Sequence, residues 1–254
     1  MDYQRLRFSL DERTARITLA HAQEGNRIDQ RLLRELDDAA ARIAEDAAVN
    51  VAVIDAEGDD FCLGWDDATR AELLATTQAV VDPFGAIAGL ACPTVASIRG
   101  GAVSGGLELA LACDIRIAEE GVRFGVPEVS QGMMPLAGAT QRLPRVAGKA
   151  AALSILLLGE EFNGKRAYEC GLVSRLVAQG QLEAETNAVA EAIAARGPLA
   201  VRYAKEAAVR GVEMTLDQGL RFETDLSIIL QTTEDRAEGL RAFFEKRPPN
   251  FKGR

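Results

Sequence analysis

Histidine is nearly absent: His21 is the only one in 254 residues. Any Ser–His–Asp arrangement would have to recruit that one ring. Cysteine is also sparse. Cys62, Cys92, Cys113 and Cys170 are scattered, with no Cys-x-x-Cys pair and no histidine beside them. That pattern argues against a zinc site and a disulfide framework, and for a reducing, cytoplasmic setting. No apolar run reaches the roughly 18 residues of a membrane span; residues 150–158 come nearest. Met1-Asp2-Tyr3-Gln4-Arg5 shows no apolar h-region, so no secretory signal is expected. Basic residues are outnumbered, 29 Lys and Arg against 38 Asp and Glu, for a net charge of −9. A nucleic-acid or acidic-membrane partner is therefore not expected.

What is present is the composition of a globular enzyme, 48% hydrophobic and 26% charged. Its length allows one α/β domain, or one large and one small lobe. Residues 3–10 and 14–20 alternate polar and apolar around Asp11-Glu12-Arg13, which predicts a β-hairpin. Asp29 can cap a helix that carries Leu32, Leu36, Ala40 and Ile43 on one face. Short apolar strands are predicted at 49–56, 94–98 and 115–118, each opening onto a loop. This weak strand–turn–helix repeat suggests an α/β core and leaves a doubly wound sheet open. From about Gly197 the pattern turns helical, with segments at 199–210, 215–230 and 234–245.

The densest chemistry lies at Gly100-Gly101-Ala102-Val103-Ser104-Gly105-Gly106-Leu107-Glu108, a glycine turn between a strand and an apolar helix. Free N–H groups at such a helix start form a seat for an anion or a developing oxyanion. Glu108 falls in the first helical turn, where a carboxylate gains from the helix dipole. Its apolar neighbours Leu107, Leu109 and Leu111 make an unpaired charge there expensive. Phe124-Gly125-Val126-Pro127-Glu128 offers a second carboxylate after another glycine turn. Two carboxyl groups beside an oxyanion seat suggest acid–base chemistry next to a carbonyl.

Glu108-Leu-Ala-Leu-Ala-Cys-Asp114, Phe124-Gly125-x-Pro127-Glu128 and Thr140-Gln141-Arg142-Leu143-Pro144 resemble the crotonase (enoyl-CoA hydratase/isomerase) superfamily. Phe61-Cys62-Leu63-Gly64-Trp65-Asp66 is similar to that family's first oxyanion loop, and residues 168–173 and 233–247 match as well. The resemblance runs from about Asn26 to the C-terminus. It implies an α/β ββα spiral core over residues 1–196 and a helical trimerisation region over 197–254. It also implies an acyl-CoA thioester substrate, no cofactor beyond the coenzyme A of that substrate, and a homotrimer or hexamer.

Carried over residue by residue, Glu108 would activate water for Cβ of an enoyl thioester and Glu128 would protonate Cα. The main-chain N–H groups of Leu63 and Gly105 would hold the enolate oxygen. Gly64, Trp65, Asp66, Arg27 and Lys246 are expected at the substrate, with Lys246 reaching the nucleotide end, often of a neighbouring subunit. Departures from the pattern bear on the acyl group. Trp65 replaces a small residue, Leu63 an alanine and Ser104 a glycine, while Leu136 and Ala137 interrupt a glycine-rich loop. The basic residue usual before Asn26 is missing, and Arg27 is its candidate substitute.

The leading expectation is reversible water addition to a 2-enoyl-CoA. Double-bond isomerisation is the rival within the family, and a non-catalytic CoA-binding scaffold the rival outside it. A serine hydrolase built on Ser104 fails the Gly-x-Ser-x-Gly pattern at Ala102 and has only His21 to draw on.

Overall fold

A computed structural model describes residues 2–75 and 82–254. Strands β1 (Leu6–Asp11) and β2 (Thr14–Leu19) form the expected hairpin, Leu6 opposite Leu19 and Asp11 opposite Thr14. Helix α1 (Gln30–Glu45) starts where Asp29 accepts a 2.7 Å hydrogen bond from the Leu32 N–H. Leu32, Leu36, Ala40 and Ile43 are buried as their spacing predicts. Glu35 is buried with them, accepting from the main-chain N–H groups of Gln4, Arg5 and Leu6 at 3.0, 2.8 and 3.2 Å.

The middle of the chain is a repeat of two strands and a helix. Strand β3 (Val51–Ala56) leads through an isolated bridge at Cys62 to α2 (Asp67–Ala75) and α3 (Gly85–Ala88). Strands β4 (Thr94–Ile98) and β5 (Gly101–Val103) lead to α4 (Gly105–Ala112). Strands β6 (Ile115–Glu119) and β7 (Arg123–Gly125) lead through a 3₁₀ turn (Pro127–Gln131) to α5 (Ala139–Leu158). Then follow β8 (Phe162–Asn163), α6 (Gly164–Glu169), β9 (Arg175–Val177) and α7 (Leu182–Ala194).

Strands β3, β4, β6 and β9 join a six-stranded sheet ordered β1-β2-β3-β4-β6-β9, while β5, β7 and β8 form a small sheet ordered β5-β7-β8, which the isolated bridge at Cys62 extends. Only β1–β2 is antiparallel in the large sheet. Strands β3 and β4 are buried nearly throughout, as strands covered on both faces are. Val51, Val53, Val95 and Ile117 pack under α7, while Ala52, Ile54, Ala96 and Ile98 enter the main core.

The architecture is thus the ββα spiral. Strands β5 and β7 escaped the sequence reading because three residues are too few to show a period.

Every element after residue 197 is helical: α8 (Pro198–Gly211), α9 (Leu216–Gln231) and α10 (Glu234–Glu245). Each agrees with its predicted span within one residue. Buried Asp235 accepts from the N–H groups of Lys252 and Gly253 at 2.6 and 2.8 Å, folding the tail back onto α10. Phe243 and Phe244 remain 77% and 78% exposed on that helix, and Leu216, Leu220 and Ile228 are exposed on α9. Among the described residues, no helix is long and apolar enough to cross a membrane.

Candidate active site

Cys62, Ala102 and Phe124 are neighbours across the small sheet, all running parallel. The loops leaving their carboxyl ends therefore emerge side by side, where open α/β sheets generally bind ligands. The first carries Leu63, Gly64 and Trp65, the second Ser104, Gly105 and Glu108, and the third Pro127 and Glu128. A cleft of about 460 Å³ opens over them, lined in part by Arg27, Trp65, Arg70, Ser104, Glu128 and Gln131.

Close approach of these loops requires glycine. A Cβ at Gly106 would stand 2.1 Å from the Cys62 carbonyl oxygen, so only a bare α-carbon lets α4 start against that segment. At Gly105 it would meet the Trp65 indole nitrogen at 2.7 Å.

Glu108 is fully buried. Its Oε1 accepts from the main-chain N–H groups of Ala137 and Ala139 at 2.8 and 3.1 Å, and its Oε2 from the Trp65 indole N–H at 3.4 Å. Burial pushes this carboxyl up from the ordinary glutamate range. The Ala139 and Ala137 donors oppose the rise, and the nearby Glu128 charge adds to it. Trp65 is itself 3% exposed and stacks on Phe84 with ring centroids 5.8 Å apart. The indole lies against both Glu108 and Gly105, and Glu108 is absent from the cleft lining.

Glu128, 4% exposed, lines the cleft directly. Its Oε1 accepts from the Ser104 hydroxyl, while its Oε2 is buried without a hydrogen-bond partner. Sequence reasoning gave Ser104 no part beside Glu128; a lone serine in a glycine turn carries no signal for one. The Ala137 and Ala139 donors were also missed, because main-chain groups leave no side-chain signature.

Leu63 requires a correction. Its N–H donates to the Gly25 carbonyl at 2.9 Å and is committed to holding the loop. Two residues on, Trp65 forms a parallel bridge with Ile28, in which the Gly64 carbonyl and the Asp66 N–H face Ile28. The Trp65 N–H consequently points the other way, and among the described residues it has no acceptor. The Gly105 N–H heads α4, where no intrahelical acceptor exists.

The remaining expected residues divide. Arg27 lies at the cleft with its guanidinium on the Leu63 and Trp65 carbonyls at 3.2 and 3.3 Å. Asp66 lines the cleft but caps α2, accepting from the Thr69 N–H at 3.0 Å, and that bond holds its carboxyl below the usual range. Lys246 ends α10 in a left-handed conformation and takes no part in the cleft lining.

Asn26, fully buried at φ 51, donates to the Glu57 and Asp60 carbonyls at 2.9 Å each and fixes the strand-to-loop crossing. His21 sets both ring nitrogens against main-chain carbonyls, of Arg5 and Arg27. With the Ser104 hydroxyl on Glu128, the serine hydrolase reading has no support. Burial pushes the Cys62 thiol up to about 12, which leaves it as packing.

Against known proteins, the family model described as Enoyl-CoA hydratase/isomerase matches residues 10–254. The chain belongs to that family. A probable enoyl-CoA hydratase of Mycobacterium bovis is 36% identical over 99% of both chains. A 2,3-dehydroadipyl-CoA hydratase of Escherichia coli is 36% identical over 97% of this chain and 98% of its own. The crystal structure of an enoyl-CoA hydratase from Bacillus anthracis superposes with a TM-score of 0.93 at 35% identity, covering 99% of this chain and all of that one.

Proposed function

We propose that the protein is a 2-enoyl-CoA hydratase, adding water reversibly to give a 3-hydroxyacyl-CoA. The observation that carries this reading is the pair of buried carboxyl groups, Glu108 and Glu128, delivered by adjacent turns of the spiral to one site. Hydration needs both: hydroxide equivalent goes to Cβ, and a proton goes to Cα. Glu108 takes the proton of the attacking water. Glu128 supplies the proton to Cα.

The charge that develops on the thioester oxygen meets the N–H groups of Gly105 and Trp65, the latter replacing Leu63 in this role. Each such donor is typically worth about 2.7–4 kcal/mol. Arg27 at the cleft mouth offers its charge to the coenzyme A phosphates. Lys246 joins them from a neighbouring subunit of a homotrimer or a pair of trimers, assembled through the apolar faces of α9 and α10. Four unpaired cysteines fit a reducing cytoplasm.

The test is a panel of enoyl-CoA thioesters of varied length and branching, followed by loss of the conjugated absorbance. Products that gain the mass of one water support hydration. Products of unchanged mass would establish isomerisation instead, and binding without turnover would establish a scaffold.

A further inference from the structure

Ser104 is held in a backbone conformation that an L-residue rarely adopts, φ 55 and ψ −127, immediately before the Gly105 donor. Strain of this kind persists only where the surroundings impose it, and it clusters at working sites. Glycine would occupy the position without strain, so the side chain must supply something that outweighs its conformational cost.

Three observations show what it touches. Its hydroxyl donates to Oε1 of Glu128. The opposite oxygen, Oε2, is buried without a partner. Room for the side chain exists because Gly64, at φ 99, has no Cβ: one built there would stand 2.9 Å from Ser104 Cβ and 3.2 Å from its Oγ. The backbone around Ser104 is fixed on both sides, its N–H donating to the Gly125 carbonyl at 2.8 Å and its carbonyl accepting from Glu108 at 3.1 Å.

We infer that Ser104 is a positioning residue that anchors one oxygen of Glu128 and so leaves the other, Oε2, as the oxygen that exchanges a proton with Cα of the thioester. The hydroxyl fixes the carboxyl rotamer, and the left-handed backbone aims the hydroxyl. The inference rests on the hydratase reading for its substrate, and on Glu128 for its proton.

Two variants separate hydroxyl from backbone. Ser104→Ala keeps the strained backbone and loses the hydroxyl; Ser104→Gly loses both. The glycine variant is expected to melt several degrees above the alanine variant, while both lose hydration kcat alike, by about tenfold or more, the KM for the enoyl-CoA moving less than threefold. Recovery of kcat in Ser104→Gly along with its stability would overturn the inference, because the loss in Ser104→Ala would then be one of backbone shape. Near-wild-type kcat in both variants would overturn it as well.

A second readout distinguishes failure of the inference from failure of the hydratase reading. Exchange of the Cα proton of a saturated acyl-CoA for solvent deuterium reports proton transfer whether or not water is added. Should the wild-type protein exchange that proton without hydrating an enoyl-CoA, the hydratase reading falls. The same two variants must still slow exchange alike for the inference to stand. A wild-type protein that neither hydrates nor exchanges overturns both.

Discussion

Glu35 and Glu108 show how far a single residue can be read. Both are buried carboxylates on helices, and both accept main-chain hydrogen bonds from a neighbouring segment. Glu35 fastens β1 to α1, whereas Glu108 lies beside the Trp65 indole and the second carboxyl group. Only tertiary placement separates structural from chemical carboxylate. If the pair acts as proposed, Glu108→Gln and Glu128→Gln each lower hydration kcat by at least about 10²-fold. The double variant then loses far less than the product of the two, because the residues work as a unit. Near-wild-type hydration in either single variant would move the reading to isomerisation.

Burial adds a stability signature at Glu108. A carboxyl whose pKa is raised on folding binds more protons folded than unfolded in the interval between its ordinary and its raised value. Stability from this group is therefore fully present below the ordinary value and lost as pH rises through the raised one. The amide of Glu108→Gln does not titrate. Whatever its constant cost, the melting temperature of the variant should gain on that of the wild type as pH rises above the ordinary glutamate value of 4.5. Thermal melts across that range check the sign, and a difference independent of pH would show that Glu108 titrates normally.

At the scale of elements, legibility followed length and periodicity. The hairpin, α1 and the three C-terminal helices were visible because each carries a cap, a 2-residue alternation or a 3.6-residue stripe over enough residues, and β4 because it is a short apolar run. The three-residue strands β5 and β7 were not visible, although they are what brings the three loops together. The glycine turn was read as a seat for an anion, and the partner it packs against was not legible. That partner is the Cys62 carbonyl, 2.1 Å from a Cβ at Gly106. That the Leu63 N–H turns to Gly25 was not legible, because the direction of an N–H depends on bridge register, which the sequence does not carry.

A sharp prediction follows from the Gly106 contact. Gly106→Ala forces α4 away from the first loop; overpacking typically costs about 1–3 kcal/mol, and a rigid carbonyl at this distance places it at the upper end or beyond. Activity should fall with stability, since the two proposed oxyanion donors move apart. Gly121→Ala, where no atom lies within 4 Å, is the control and should leave melting temperature and turnover unchanged.

For the whole molecule the problem is charge. A chain of net charge −9 is proposed to hold a polyanionic substrate, so local cations must oppose the long-range repulsion. Arg27 is at the cleft, whereas Lys246 ends a helix that one chain does not bring to it. If Lys246 serves the site, a neighbouring subunit must present it, and the exposed Phe243 and Phe244 beside it are the surface through which that subunit would dock. Two variants then share a phenotype by different routes. Lys246→Glu keeps the assembly and raises KM for an enoyl-CoA several-fold, more steeply at low salt where screening is weakest. Phe243→Asp combined with Phe244→Asp dissociates the assembly in sedimentation and raises KM in the same direction. An enoyl-pantetheine lacks the nucleotide phosphates, so Lys246→Glu should leave its kcat/KM almost unchanged. Equal losses on both substrates would mark a folding defect, and no loss on either would remove Lys246 from the site. A phenylalanine variant that sediments as a monomer yet keeps wild-type KM would show that each chain holds its substrate alone.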